Sequence, residues 1–327
     1  MCTPLVSIII PAYNAEACIL RCVESVIKLL EKENVYEIII VNDGSLDNTS
    51  AILESLSKKN NSIHVINKVN EGVSVARNVG IQSASGDYLL FLDSDDELFS
   101  LSLVSILPVL RNQRPDLVFS NMVSTNVDGE TSFRRPSLVP HRIYTGEEAF
   151  NNNYLRVNAG GAICRREFLL ENNLLFPSGV SIAEDTIFFA HCQALSRSLI
   201  YIDVDLYHIY LTKNSASRNK NKDLYSRMLK SIEVLQISKQ KRNYSRAQQR
   251  MIDYALYSLI SNAVYLALSI TDVNIDDLKK TITENKIIPL SYRIGNNTAI
   301  KIMTLNFSFD LFVSLIGKKI CSSSLKS

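Results

Sequence analysis

The first 120 residues alternate short apolar, β-branched runs with stretches of helical periodicity. The runs are LVSIII (5–10), YEIIIV (36–41), IHVIN (63–67), DYLLFL (87–92) and DLVFS (116–120), each followed by a polar break. Between the first two, Ile19, Cys22, Val23, Val26, Ile27 and Leu30 recur at the three- and four-residue spacing of one helix face. Asp47 stands where it caps a helix carrying Ile52, Leu53 and Leu56. Strands and helices alternating at this spacing predict a mostly parallel, doubly wound α/β sheet. Runs apolar throughout predict that both sheet faces are covered.

Beyond Ser120 the alternation stops. A hairpin turn is expected at Asp128-Gly129, and Thr145 to Glu148 reads as a capping box opening a short helix. The glycine pair Gly160-Gly161 leads to the acidic-apolar segment AEDTIFFAHC (183–192), and the polar stretch 211–223 reads as a loop or boundary. Residues 224–270 are helical in pattern, and a last helix groups Ile302, Leu305, Phe309, Phe312, Val313 and Ile316. The domain reading is a body at 1–215, with halves at 1–120 and 121–215, and a helical region at 216–327.

With 327 residues, 46% apolar and 21% charged, the chain is an ordinary globular one, which sets aside disorder and repeats. Its six cysteines form no CxxC pair, so a reduced, cytoplasmic setting is expected. Cys18 and Cys22, four apart, are either two ligands of a shared metal or small apolar core residues. No leader pattern is read at the start, and Ala255–Ile270, broken by Ser258, Ser261 and Asn262, reads as a buried helix and not a membrane span. Charge is uneven: residues 1–210 hold 16 Lys and Arg against 25 Asp and Glu, net −9, whereas 211–327 hold 19 against 8, net +11. Ten of those basic residues fall between Arg218 and Arg250. They form either a solvated helix face or an attachment to an anionic membrane, with Phe307, Phe309 and Phe312 adding apolar contact. No nucleic-acid motif accompanies them.

In open α/β sheets ligands bind at the carboxyl ends of the strands. The polar clusters fall there: Pro11-Ala-Tyr-Asn14, Asn42-Asp43-Gly-Ser45, Asn70-Glu-Gly72 and Asp93-Ser-Asp-Asp96. Three carboxylates within 93–96 repel unless compensated, which calls either for a hard divalent cation or for a solvated turn capping a helix that starts near Leu98. Asp43 either accepts an N–H of a base or forms an Asx turn; Arg77 either grips a phosphate or covers a helix end. Neither a dinucleotide fingerprint, a P-loop nor a GxSxG elbow occurs, and the four histidines lack zinc spacing.

Taken together and in order, VSIIIPAYN, EIIIVNDGSLDNT, NEGVSVARNVG, GDYLLFLDSDD and the later AED resemble the family 2 glycosyltransferases of the GT-A fold, over residues 5 to about 215. The resemblance implies a Rossmann-like, mostly parallel sheet with a mixed acceptor-side part, here carrying a C-terminal helical extension. It implies that Pro11, Ala12, Tyr13, Asn14 and Asp43 line a pocket for the donor's nucleobase and ribose, normally uridine, completed by Gly72, Arg77 and Ser94. Asp93 would face the donor sugar and ribose, and Asp95, with Asp93, would meet a Mn2+ or Mg2+ ion on the diphosphate. Asp185 would be the base toward the acceptor hydroxyl, with Glu184 beside it; the pair also suits the start of a helix.

Relatives often carry an aromatic-Arg pair after this point, where the chain has His208-Ile-Tyr210 and then Lys213, Ser215 and Ser217. Lys213 is the candidate substitute cation, and His208 is either a metal ligand or a packed strand residue. The implied function is inverting, metal-dependent transfer of a hexose-type sugar from a UDP-sugar to a lipid-linked or other glycan acceptor in bacterial surface polysaccharide synthesis. Its implied place is peripheral, on the inner face of the bacterial cytoplasmic membrane. The alternative is a non-catalytic sugar-nucleotide-binding or scaffolding member of a glycan-assembly complex.

Overall fold

The computed structural model describes residues 4–30, 35–155, 158–211, 221–270, 273–288, 305 and 308–324. They fall into two compact units: Met1–Tyr154 with Asn158–Gly179 and Leu195–Lys213, and Leu155–Val157 with Val180–Ala194 and Asn214–Ser327.

The first unit is built on a ten-stranded sheet. Its strands are β1 (Val6–Ala12), β2 (Tyr36–Asp43), β3 (Ile63–Lys68), β4 (Tyr88–Phe91), β5 (Glu97–Leu98), β6 (Leu117–Thr125), β7 (Thr131–Arg134), β8 (Ile143–Tyr144), β9 (Ala162–Arg165) and β10 (Leu199–Tyr210). They run in the order β3-β2-β1-β4-β9-β6-β10-β5, with β7 beside β6 and β8 beside β10. β1 pairs in parallel with β2 and β4, and β2 with β3, so the carboxyl ends of these four strands share one edge. β9 lies antiparallel between β4 and β6, which makes the other half mixed. Every residue of β1 and β2 is buried, as expected of strands covered on both faces.

The covering helices of this unit are α1 (Ile19–Leu30), α2 (Thr49–Lys59), α3 (Val73–Ser83), α4 (Ser100–Gln113), α5 (Gly146–Asn151) and α6 (Arg166–Glu171). α5 opens on the expected capping box between Thr145 and Glu148. The expected Asp47 cap is shifted: Asn48 is the N-cap of α2 and makes no side-chain cap bond. Asp47 accepts instead from the N–H groups of Thr49 and Glu16, each at 3.0 Å, and so ties the β1–α1 loop to the β2–α2 loop. The reading of 93–96 as a helix cap is also corrected, because the turn feeds β5, and α4 starts after Phe99 with no side-chain cap.

In the second unit, α7 (Glu184–Leu195) groups with α8 (Lys222–Gln240), α9 (Arg246–Ser269), α10 (Asp276–Glu284) and α11 (Phe309–Ser324). The sequence reading drew α7 inside 1–215. Its neighbours explain the difference: the Ser231 hydroxyl donates to the Ile182 carbonyl at 2.7 Å, and the buried His191 meets Tyr244 and Ser238. α9 is long and apolar enough to cross a membrane by composition, yet most of its apolar positions, from Met251 to Ala267, are buried in the protein. That agrees with a core helix.

Candidate active site

The β1 and β2 ends are laced together before any ligand is considered. Asn14, at φ +48°, donates its N–H to Ser45 Oγ at 3.0 Å and accepts from the Leu46 N–H at 2.8 Å. Asn42 receives both the N–H and the hydroxyl of Ser45. Pro11 and Ala12 are buried, while Tyr13 is 48% exposed.

Asp43 is buried and richly bonded. Its Oδ1 accepts from Lys68 Nζ at 2.6 Å and the Glu71 N–H at 3.0 Å, and its Oδ2 from the Gly72 N–H at 2.8 Å. Gly72 opens α3 at φ +92°, a backbone region that side chains rarely adopt. Asp43 thus ties β2 to the start of α3, and the Asx-turn reading gives way to this longer tie. Lys68 was passed over in the sequence, although parallel register sets it directly beside Asp43.

Arg77 is 3% exposed, and its guanidinium donates to Asp93 Oδ1 at 2.7 Å. The ring of Phe176 covers it at 5.0 Å. Phe176 is held by a reciprocal pair, its N–H to Asn78 Oδ1 at 2.8 Å and Asn78 Nδ2 to its carbonyl at 2.9 Å. The helix-end reading of Arg77 gives way, because from within α3 its guanidinium orients Asp93.

The 93–96 turn is gripped from two sides. The Asp93 N–H donates to the buried Tyr207 hydroxyl at 2.9 Å, and that hydroxyl also bonds the Asp96 carboxyl. Asp96 accepts from the Tyr210 N–H at 3.1 Å. On the other side Arg21 pairs with Glu97 at 2.9 Å, donates to the Asp95 carbonyl and stacks on the Tyr210 ring at 4.0 Å. Gly160 makes room for Tyr207: a Cβ there would stand 3.0 Å from its ring. Neither Arg21 nor Tyr207 was found from sequence, Tyr207 lying 114 positions from Asp93.

Electrostatics mark the same turn. Burial, then the Asp93 and Asp95 charges, push the Asp96 carboxyl up to about 8. Ser94 sits half-buried between them, and Asp95 is the exposed member of the run. Cys18 and Cys22 flank it, Cys22 Sγ reaching the Asp93 carbonyl at 3.5 Å. Burial and these carboxylates raise both thiols, a poor setting for a thiolate metal ligand. Among the described residues no three His, Cys, Asp or Glu side chains form a ready cation cage. His208 is the packed strand residue: it bonds Thr125 Oγ1 at 2.8 Å between the Phe99 and Tyr210 rings.

Within the second unit, Glu184 and Asp185 form the first turn of α7, and Asp185 Oδ1 accepts from the Thr186 N–H at 2.7 Å. Ala183, just before them, sits at φ +57°. Lys213, Ser215 and Ser217 lie outside the described residues.

The model of glycosyl transferase family 2 matches residues 7–172, a span holding the carboxyl ends of β1 to β4 and the 93–96 turn. The chain belongs to glycosyl transferase family 2. The glycosyltransferase is 32% identical over 211 residues to an uncharacterized glycosyltransferase, EpsJ, of Bacillus subtilis, covering 62% of this chain and 60% of that one. It is 29% identical over 210 residues to the poly(ribitol-phosphate) beta-glucosyltransferase of Bacillus spizizenii, covering 64% of this chain and 32% of that one. It thus spans less than two thirds of either relative. In structure it is similar to S. aureus TarS 1–349 in complex with UDP-GlcNAc, with a TM-score of 0.72 at 18% identity over 97% of this chain and 92% of that one. The shared architecture is the GT-A fold.

Proposed function

We propose that this glycosyltransferase moves a hexose-type sugar from a UDP-sugar to a hydroxyl of a glycan acceptor, with inversion at the anomeric carbon. The observation that carries the reading is the 93–96 turn, where one carboxylate is oriented by Arg77, one is buried and one is exposed at the shared strand edge. The UDP-GlcNAc of the TarS complex supports uridine as the donor base, and the named activity of the Bacillus spizizenii relative supports a β-linked product.

The donor set fits a hard cation that arrives with its substrate. Mg2+ and Mn2+ are commonly held by one or two carboxylates plus substrate phosphates, without a protein cage. Asp95 and the second oxygen of Asp93 are the groups that would hold it. When bound, the ion supplies positive charge to the departing diphosphate.

Asp185 accepts the acceptor's hydroxyl proton as that oxygen bonds to the anomeric carbon. The bond from that carbon to the diphosphate breaks on the opposite side, and UDP leaves with the electron pair. Glu184 adds negative charge beside the base and keeps the turn suited to a helix start. We further propose a lipid-linked acceptor of a bacterial surface polysaccharide and a peripheral place on the cytoplasmic membrane, consistent with the +11 charge of residues 211–327.

The test is UDP release from a panel of UDP-sugars with a lipid-linked GlcNAc-diphosphate acceptor mimic, in Mn2+ or in EDTA. We expect one donor to turn over, EDTA to abolish release, and Asp185→Asn and Asp95→Ala each to lower kcat by about 100-fold or more. Undiminished turnover in Asp185→Asn would overturn the base assignment, and full activity in EDTA the metal.

A further inference from the structure

Ala183 holds a left-handed backbone at φ +57°, which is unfavourable for an L-residue and persists only where neighbours impose it. The strained residue sits directly before Glu184 and Asp185, so whatever holds it also sets where α7 begins. Two contacts within the second unit do so. The Ser231 hydroxyl, fully buried on α8, donates to the Ile182 carbonyl at 2.7 Å, one residue before the strained position. Six residues beyond Asp185, the buried His191 ring is held at both nitrogens, Nδ1 by the Tyr244 hydroxyl and Nε2 by Ser238 Oγ at 2.8 Å. The Tyr244 ring also stacks on it, 5.8 Å away and 12° from parallel.

A helix pinned at one point can still turn or slide. Ile182, held by Ser231, and His191, held by Tyr244 and Ser238, lie on either side of Asp185 in the chain, which removes both freedoms. Six residues correspond to about 9 Å of rise and a rotation that leaves Asp185 roughly 120° around the helix from His191. The pin therefore fixes the acidic turn without standing in front of it.

We propose that Ser231, together with the His191–Tyr244 pair, is a positioning element for Asp185: the helices beyond residue 220 aim the base. This rests on the reading of Asp185 as the base. It gives the C-terminal region a part in the chemistry, separate from any attachment role.

The experiment uses the full chain and compares Ser231→Ala, Tyr244→Phe and Asp185→Asn with the parent, reading kcat, donor KM, UDP affinity and Tm. A further substitution, Lys239→Met, breaks the ion pair of the half-buried Lys239 with the buried Asp253 between α8 and α9 and serves as a packing control. The expected result is a kcat about tenfold or more lower in Ser231→Ala and in Tyr244→Phe, since small misplacements of a catalytic group are costly. Donor KM and UDP affinity stay within twofold. Lys239→Met lowers Tm but leaves kcat at the parent value. Parent-like kcat in both Ser231→Ala and Tyr244→Phe, with Asp185→Asn inactive, overturns the positioning role and spares the base. A matching loss of kcat in Lys239→Met, or a loss of UDP affinity in step with kcat, overturns it in favour of general stability. An active Asp185→Asn overturns the base and the positioning role together.

Discussion

Asp96 is the residue where burial and chemistry pull hardest against each other. Its carboxyl holds a proton up to about pH 8, whereas an unfolded aspartate ionises near 4. Between those values the folded chain binds more protons than the unfolded one, so this group subtracts stability as pH rises through the window. Buried His191, pushed down to about 3, acts in the opposite sense up to its unfolded value of about 6.5. A comparison with Asp96→Asn, which keeps the shape and drops the titration, isolates the aspartate. The stability of Asp96→Asn relative to the parent should grow from pH 5 to about pH 8 and level off above it in metal-free buffer, read as Tm; a constant gap below pH 8 would contradict the assignment. At this scale the carboxylates of 93–96 were legible from spacing and mutual repulsion alone. The Tyr207 hydroxyl under them was not, because no local pattern announces a partner that far along the chain. The tie from Arg77 to Asp93 was hidden for a related reason: the sequence shows the charge in a strand-end cluster but not the carboxylate it meets.

Elements were legible in proportion to how regularly they are buried. β1 and β2, covered on both faces, show as unbroken apolar runs, and α1 shows its stripe. β10 did not, because Asp203 and Asp205 interrupt it where its register against β6 shifts. Asn121 makes that irregularity tolerable by donating to both carboxylates, at 2.9 and 3.0 Å. α7 is buried almost all round after its first turn, so it presents no face from which its neighbours can be read, and its grouping with α8 and α9 stayed hidden. The tightest packing of an element is equally invisible in a sequence. A Cβ on Gly80 would stand 2.3 Å from Ile9 Cγ2, so α3 lies against β1 with no room for a methyl group. Gly80→Ala gains up to about 1 kcal/mol of helix propensity, but overpacking typically costs roughly 1–3 kcal/mol and must displace the helix bearing Arg77. We expect a net loss of stability by urea unfolding, with a raised donor KM as Arg77 and Asp93 part. A stabilised, fully active variant would show that α3 relaxes freely.

For the whole molecule, the separation of charge is the feature that composition shows and topology sharpens. The acidic body and the +11 of residues 211–327 suggest attachment to an anionic surface, but removing everything after residue 215 is a poor test, since α8 and the α8–α9 turn hold α7 in place. Substitution on the second unit is the better probe. There Tyr265 and Leu268 of α9 and Leu311 and Leu315 of α11 are each at least 40% exposed, and α9 and α11 meet through Tyr257 and Phe312, rings 5.9 Å apart. Exposed leucines add roughly 1.5–3 kcal/mol each when buried, and basic residues about 1 kcal/mol each near an anionic surface. The full chain should therefore sediment with vesicles containing phosphatidylglycerol, more weakly with phosphatidylcholine alone, and less as salt rises. The pair Leu311→Glu and Leu315→Glu should reduce sedimentation at least tenfold while leaving UDP affinity unchanged. Equal sedimentation of parent and variant would remove this face from the attachment. Equal binding to neutral and anionic vesicles would remove the charge.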